Sequence, residues 1–439
     1  MNLKGKKVAV LGAGGSGFAA ATLALAHGAS VVAFDSGDSE KLAPAVEKFG
    51  KAGIELVCGE AALSPEANFD IAVLSPGIAT SWPFAVTFAE KSGELIGEIE
   101  FAWRLSDVPV IAITGTNGKT TTTSLIADML SSAGLKAVAA GNIGRAYSDV
   151  VLSKEQLDWV VLEVSSFQLE TIDSFAPAIS IWMNFAPDHL DRYDSIEDYR
   201  EAKLNLFHNA SDETLVIRKF EDDLGLTSPE VTFSAFSGGA DFGYANGKIF
   251  SSKKDFDFST CELQGKHNAE NVMVALAVAD RLSLPWETVA PSIREFRAPS
   301  HRCEKIAVID QVTFLNDSKS TNLHSLESAL AGQESPVVLI VGGKDKGLDF
   351  LSLKNLAINK AKAAVCIGEI GPQIAEIWGD DVACTVCASV EEAVRTAKNS
   401  ALAGDVVLFS PGTSSFDMFS GYEERGEVFR ESVQALSVA

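Results

Sequence analysis

Ile-Ala-Ile-Thr-Gly-Thr-Asn-Gly-Lys-Thr-Thr-Thr-Thr occupies residues 111–123, and its reading decides the fold. The apolar run 110–113 predicts a buried strand, the two glycines a tight turn, and the pattern at 125–130 a helix. A glycine turn frees backbone N–H groups to point at one spot, and the start of the next helix adds positive potential there. Lys119 has the reach and charge for terminal phosphates, and the Thr120 hydroxyl suits a Mg²⁺. The segment predicts a nucleoside triphosphate cradle lined by Gly115, Thr116, Asn117, Gly118, Lys119, Thr120 and Thr121. The common Gly-x-x-x-x-Gly-Lys-Thr spacing is not met, because Ile113 holds the first glycine position. A plain turn with a solvated lysine is the alternative, and it leaves the agreement of strand, turn, Lys-Thr and helix unexplained.

Outward from this loop, strands alternate with helical patterns almost throughout, which predicts an α/β protein with mostly parallel sheets. The first block has a strand at 7–11, Gly-Ala-Gly-Gly-Ser-Gly, a helix at 18–27, a strand at 30–34 ending at Asp35, and a strand at 71–74 ending in Ser75-Pro76-Gly77. It predicts a Rossmann-like domain over 1–98. The second block, 99–298, carries the phosphate loop, strands at 159–162 and 178–183, a small antiparallel insert within 211–262, and an Ala/Val helix at 269–282. The third, 299–439, has strands at 307–315, 337–341, 363–367, 382–386 and 406–409, and predicts a second Rossmann-like domain.

A chain of 439 residues exceeds one core, in keeping with three domains. A net charge of −23 argues against a nucleic-acid backbone or an anionic membrane as partner, while leaving room for a local phosphate site. The six cysteines are scattered, which fits a reducing cytoplasm. Cys384 and Cys387 form a lone C-x-x-C in an apolar stretch and read as buried thiols in a strand, not as a zinc half-site. Lys4, Lys6 and Lys7 precede an apolar run, but the glycines from Gly12 to Gly17 break it, so a strand–turn–helix unit is expected and not a leader. No window holds 18 uninterrupted apolar residues, so no membrane span is expected.

Several polar clusters close predicted strands. Glu163 ends the strand beside the phosphate loop, where open α/β sheets place a Mg²⁺ ligand. Asp188-His189-Leu190-Asp191 is a candidate metal or phosphate contact. Ser195-Ile-Glu-Asp198 predicts a helix cap, and Tyr199 and Lys203 share a face of that helix. His267, Asn268 and Asn271 fall on the first turn of the Ala/Val helix, where a base, a phosphate or simple capping would use them. Asn316-Asp317-Ser-Lys319-Ser-Thr321-Asn322, the 342–347 loop with Lys346, and Ser410-Pro-Gly-Thr-Ser-Ser415-Phe-Asp417 all follow strands of the third block and point to one cleft. Gly12-x-Gly14-x-x-Gly17 with Asp35 matches a dinucleotide fingerprint, yet the same geometry serves any diphosphate.

Taken in order, these stretches resemble the Mur ligase family, which makes peptidoglycan precursors. The resemblance rests on Gly115-Thr-Asn-Gly-Lys119-Thr-Thr, Leu162-Glu163-Val-Ser-Ser-Phe-Gln-Leu-Glu, Asn184-Phe-Ala-Pro-Asp188-His189-Leu-Asp, Lys203, Gly265-x-His267-Asn268-x-x-Asn271, His301-Arg302 and Asn316-Asp317-Ser-Lys319-x-Thr321-Asn322. Within the family, Ser75-Pro-Gly-Ile and the ending from Ser410 to Tyr422-x-x-Arg425-Gly426 most resemble members that add D-glutamate to UDP-N-acetylmuramoyl-L-alanine. The Asp-Asn-Pro-Arg motif of the diaminopimelate-adding relatives is absent, and Ser36-Gly37 departs from the basic residue often found after the acid.

The resemblance implies an ATP-dependent carboxylate–amine ligase that works through an acyl phosphate, acts as a cytoplasmic monomer and uses two Mg²⁺ ions. One ion would sit on Thr120 and Glu163. The other would sit on His189 and on Lys203, which as a carbamate becomes an anion. Asn271, Arg302 and Asp317 would hold ATP from both sides of a domain cleft, and Asn142 would contact substrate and phosphate. Ser16, Gly17, Asp35, Ser36, Gly77 and His189 would face the UDP-substrate. Lys319, Thr321, Lys346, Ser415 and Tyr422 would receive the amino acid. Another amino-acid-adding family member or a folylpolyglutamate synthase-like ligase remains open. So does an NAD-dependent oxidoreductase, which explains residues 8–35 alone, and a non-catalytic nucleotide switch, which explains 110–125 alone.

Overall fold

The computed structural model describes residues 1–189, 192–226, 230–298, 300–333 and 335–436. Three sheets fall into two units, one of Met1–Cys261 with Glu270–Glu295, the other of Glu262–Ala269 with Phe296–Ala439. Residue 299, the expected start of the third domain, lies outside the described residues.

The first sheet is wholly parallel, in the order Glu55–Cys58, Ser30–Asp35, Lys7–Leu11, Phe69–Leu74, Ser92–Gly97. Val8, Ala9, Val10 and Leu11 have no exposure, because helices cover both faces of such a sheet. The helix Gly15–Ala26 begins three residues before the expected position. Gly17 lets it approach the strand end, since a Cβ there would lie 1.9 Å from the Gly12 carbonyl oxygen.

Among the described residues the central sheet has nine strands, with Val110–Thr114 held between Ile179–Trp182 and Trp159–Glu163. The helix Lys119–Ser132 leaves the phosphate loop and buries Leu125, Ile126, Met129 and Leu130. One apolar core runs through both sheets of this unit, joining Val8, Val10 and Ile71 to Ile99, Phe101, Val110 and Leu162. Among the described residues, the antiparallel pairing expected within 211–262 is confined to Phe242–Ala245, Lys248–Ser251 and Phe256–Asp257. Leu215–Lys219 and Glu230–Ser234 instead run parallel to Ile179–Trp182 and widen the sheet. Alternation within a strand reveals which face is buried, not the direction of its neighbour.

Among the described residues the second unit holds six strands in the order Glu304–Ile309, Val312–Asn316, Val406–Phe409, Val337–Gly342, Ala361–Ile367, Ala383–Val386. The single strand expected at 307–315 is a hairpin, turned by Asp310 and Gln311 at φ 50° and 63°. Such angles are uncommon outside glycine, so no turn is marked in the sequence. The chain ends in the helix Tyr422–Leu436. All six cysteines are free; Cys384 is half-buried in its strand and Cys387 is buried beyond it. Among the described residues no helix is long and apolar enough to cross a membrane.

Candidate active site

Gly118 caps the helix Lys119–Ser132 at φ 83°, a left-handed angle that favours glycine. A Cβ there would also meet Asn271 Oδ1 at 2.7 Å. The Thr122 hydroxyl donates to that same oxygen at 3.1 Å, so Asn271 faces the start of the phosphate-loop helix. The loop is braced from behind by the segment after Ile179–Trp182. Thr116 N–H donates to Asn184 O at 2.9 Å, Asn117 N–H to Asn184 Oδ1 at 2.9 Å, and Asn184 Nδ2 returns a bond to Asn117 O at 3.1 Å. The Thr116 hydroxyl donates to Ala186 O and accepts from Ala186 N–H.

Lys119 Nζ curls over this frame and donates to Gly115 O at 2.9 Å and Thr116 O at 2.8 Å. Thr121, in the first turn of the same helix, is 4% exposed. The Thr120 hydroxyl donates to Glu163 Oε2 at 2.6 Å, and Asn142 Nδ2 to Glu163 Oε1 at 2.9 Å. Both oxygens of this carboxylate, 3% exposed, are thus held by neutral donors. An oxygen donor set of this kind suits a hard divalent cation that keeps several waters. Among the described residues no cluster of three or more His, Cys, Asp or Glu side chains stands ready for a metal.

Lys203, on the helix Ile196–Leu204, is 2% exposed and donates to Gly115 O at 2.9 Å. Its Nζ lies 4.5 Å from the centre of the Tyr199 ring, as the shared helix face predicts. Burial and then the charge of Lys119 hold its proton affinity well below that of an ordinary lysine, against Asp188 and Glu163. The expected cap forms, with Ser195 Oγ accepting from Asp198 N–H at 3.0 Å. His189 adopts φ 55° between two rings, Phe167 at 4.8 Å and Tyr199 at 5.8 Å. Leu190 and Asp191, the end of its motif, lie outside the described residues.

Ser16, Gly17, Asp35, Ser36 and Gly77 gather where the first sheet's central strands end. Asp35 already shapes this end, with Oδ2 accepting from Ala13 N–H at 2.7 Å and Oδ1 from Gly37 N–H at 2.8 Å. The acid that a dinucleotide reading would put on a ribose therefore holds the glycine turn.

In the second unit, Asp317 is 8% exposed, and its oxygens accept from the Ser410 hydroxyl at 2.8 Å and Cys303 N–H at 3.1 Å. Burial raises its carboxyl to about 6. Lys319 Nζ lies 3.7 Å from the centre of the Tyr422 ring. Ser415 is buried, while Arg302 and Thr321 are half-buried and Lys346 is exposed.

The family model described as Mur ligase middle domain matches residues 113–279, and that described as Mur ligase, glutamate ligase domain matches residues 301–412. A UDP-N-acetylmuramoylalanine--D-glutamate ligase of Thermoanaerobacter pseudethanolicus is 36% identical over 99% of this chain and 100% of its own. Proteins of the same name from Christiangramia forsetii and Chromobacterium violaceum are each 38% identical, over 98% and 100% of this chain and 100% of theirs. The chain belongs to the Mur ligase family. It is therefore an ATP-dependent amide ligase. The fold agrees. The UDP-N-acetylmuramate-alanine ligase MurC of Thermotoga maritima superposes with a TM-score of 0.62 at 19% identity, over 98% of this chain and 99% of that one. The MurF ligase of Thermotoga maritima in complex with ADP gives 0.62 at 13% identity, over 92% and 95%.

One residue of this Mur ligase escapes a reading by motif. Arg425 is 1% exposed and donates to Ser318 Oγ at 3.0 Å, Ser318 O at 2.7 Å and Thr413 O at 3.0 Å. Burial lowers its guanidinium to about 10. It thereby ties the loop of Asp317 and Lys319 to the loop of Ser415. Its place in the run Tyr422-x-x-Arg425-Gly426 was the only signal, and that run says nothing of contacts.

Proposed function

We propose that this Mur ligase joins D-glutamate to UDP-N-acetylmuramoyl-L-alanine in peptidoglycan precursor synthesis, in the cytoplasm. The observation that carries the reading is the meeting of Lys119 and Lys203 at Gly115 O, beside Glu163, in a chain that relatives of that named activity match from end to end.

A carboxylate resists attack by an amine because its charge repels the nucleophile and oxide is a poor leaving group. Transfer of the γ-phosphoryl group from ATP to one carboxylate oxygen gives ADP and an acyl phosphate. The amine of D-glutamate then attacks the acyl carbon, the C–O bond to phosphate breaks, and the amine gives up its proton. Positioning and charge neutralisation are the protein's main tools for the first step. Lys119 would turn from its own loop carbonyls to the terminal phosphates, and the loop N–H groups would hold the chain of phosphates. Mg²⁺, at two sites built on Thr120 with Glu163 and on His189 with Lys203, would neutralise phosphate charge. The lowered proton affinity of Lys203 favours the free amine, the form that adds CO₂ to become an anionic carbamate.

Residues 1–98 would take the UDP-substrate through Ser16, Gly17, Asp35, Ser36 and Gly77, and residues 99–298 would take ATP with Asn271. Residues 299–439 would supply Arg302 and Asp317 to ATP, and Lys319, Thr321, Lys346, Ser415 and Tyr422 to the amino acid. Phosphate release from ATP is the direct assay. It should require both organic substrates together, and equal release with either one omitted would overturn the reading.

A further inference from the structure

Arg192 touches two parts of the first unit at once. Its Nη2 bonds Glu170 Oε2 at 2.7 Å, and its Nη1 donates to Pro76 O at 3.2 Å, in the loop that closes the strand Phe69–Leu74. Its guanidinium lies 4.4 Å from the centre of the Phe167 ring. The second oxygen of Glu170 accepts from the Tyr193 hydroxyl at 2.7 Å. The ion pair is 13% and 15% exposed, so water screens it little.

The contacts continue inward. Phe167 meets the His189 ring edge-on and stacks on Tyr193 at 5.9 Å. His189 meets Tyr199, whose ring faces Lys203 Nζ and whose hydroxyl lies 3.4 Å from Thr116 Oγ1 in the phosphate loop. An unbroken line of packed groups thus runs from Pro76 to the phosphate loop. His189 sits in it at a left-handed backbone angle that a non-glycine residue holds only when its surroundings enforce it. A planar guanidinium can stack on a ring while its edge bonds a carboxylate and a carbonyl; an ammonium group cannot do all three.

We propose that Arg192 is a positioning residue that couples the 75–77 loop to the orientation of His189, so that the UDP-substrate and the phosphate site are aligned together. The proposal rests on the functional reading above for the identity of that substrate.

The test uses the full-length enzyme with Arg192→Lys and Arg192→Met. Steady-state constants, thermal unfolding and hydrogen exchange of the 75–79 amides are measured for each. Arg192→Met should raise KM for the UDP-substrate and lower kcat, together about tenfold or more, with KM for ATP within about twofold of the parent. Arg192→Lys should recover part of the UDP-substrate KM and little of kcat. Exchange at 75–79 should quicken in both, by more than any fall in the unfolding midpoint accounts for. Unchanged constants, an equal rise in all KM values, or unchanged exchange at 75–79 would overturn the proposal. If Arg192→Met does not fold, Arg192→Lys decides it by the same readouts. If the parent enzyme shows no ligase activity, the functional reading fails by itself, and exchange at 75–79 still decides the coupling.

Discussion

Lys119 and Lys203 donate to one carbonyl oxygen, that of Gly115, each from 2.9 Å. Two ammonium groups on one acceptor repel, and the buried one loses more hydration, so Lys203 is the one driven toward the neutral amine. The pair thus prepares two roles from one residue type. On the proposed function, Lys119 would serve phosphate and Lys203, as the free amine, would take up CO₂.

Removing dissolved CO₂ should therefore slow the enzyme, and bicarbonate should restore it. Lys203→Ala should be nearly inactive and partly rescued by a short carboxylate such as acetate, which supplies the missing anion. Activity assays with and without CO₂, alongside ¹³C NMR of protein kept in labelled bicarbonate, check this. A carbamate signal absent at neutral pH, together with no rescue by any small acid, would contradict it.

Lys119→Ala should remove a charged phosphate contact used most in the transition state. The expected loss is on the order of 10²–10³-fold in kcat. Single-turnover acyl phosphate formation in a variant with the parent's circular dichroism is the relevant measurement, and near-normal formation would refute the role.

Glu98 offers a pH test of stability away from the chemistry. It is 3% exposed at the start of the helix Glu98–Trp103 and accepts from Ser148 N–H at 2.6 Å. Burial raises its carboxyl from 4.5 to about 6, against the Ser148 bonds and with help from Asp149. The folded protein thus holds this proton up to about pH 6, while the unfolded chain releases it near 4.5. The stabilisation is complete below the lower value and lost as pH rises through the higher one. Glu98→Gln cannot ionise, so it should exceed the parent by about 2 kcal/mol near pH 8 and by little near pH 4. Urea midpoints at the two pH values measure it; an equal difference at both would show that the proton is not responsible.

How much of this was legible in the sequence depends on how contiguous each feature is. The phosphate loop reads directly, because strand, glycine turn, lysine and helix follow one another within residues 110–132. The Thr120–Glu163 contact reads from a rule about strand ends, since the strand that leads into Thr120's loop and the strand that Glu163 closes are parallel neighbours. The shared carbonyl of Gly115 does not read, because it needs the register of a helix 88 residues away. Arg425 and Arg192 do not read either. A long basic side chain on a helix or in a loop looks solvated until the loops it binds are brought to it. The hairpin at Asp310 and Gln311 was hidden for a different reason, since non-glycine residues supply its left-handed angles.

The central claim is the choice of amino acid. Its acceptor would offer two carboxylates, and losing one charged hydrogen bond to a carboxylate costs about 1.5–3 kcal/mol. The L isomer would aim its amine away from the acyl phosphate. A competition on UDP-N-acetylmuramoyl-L-alanine and ATP, with D-glutamate, L-glutamate, L-lysine and diaminopimelate present together and products read by mass spectrometry, tests this directly. The account predicts the D-glutamate adduct as the main product; any other amino acid in the main product would contradict it.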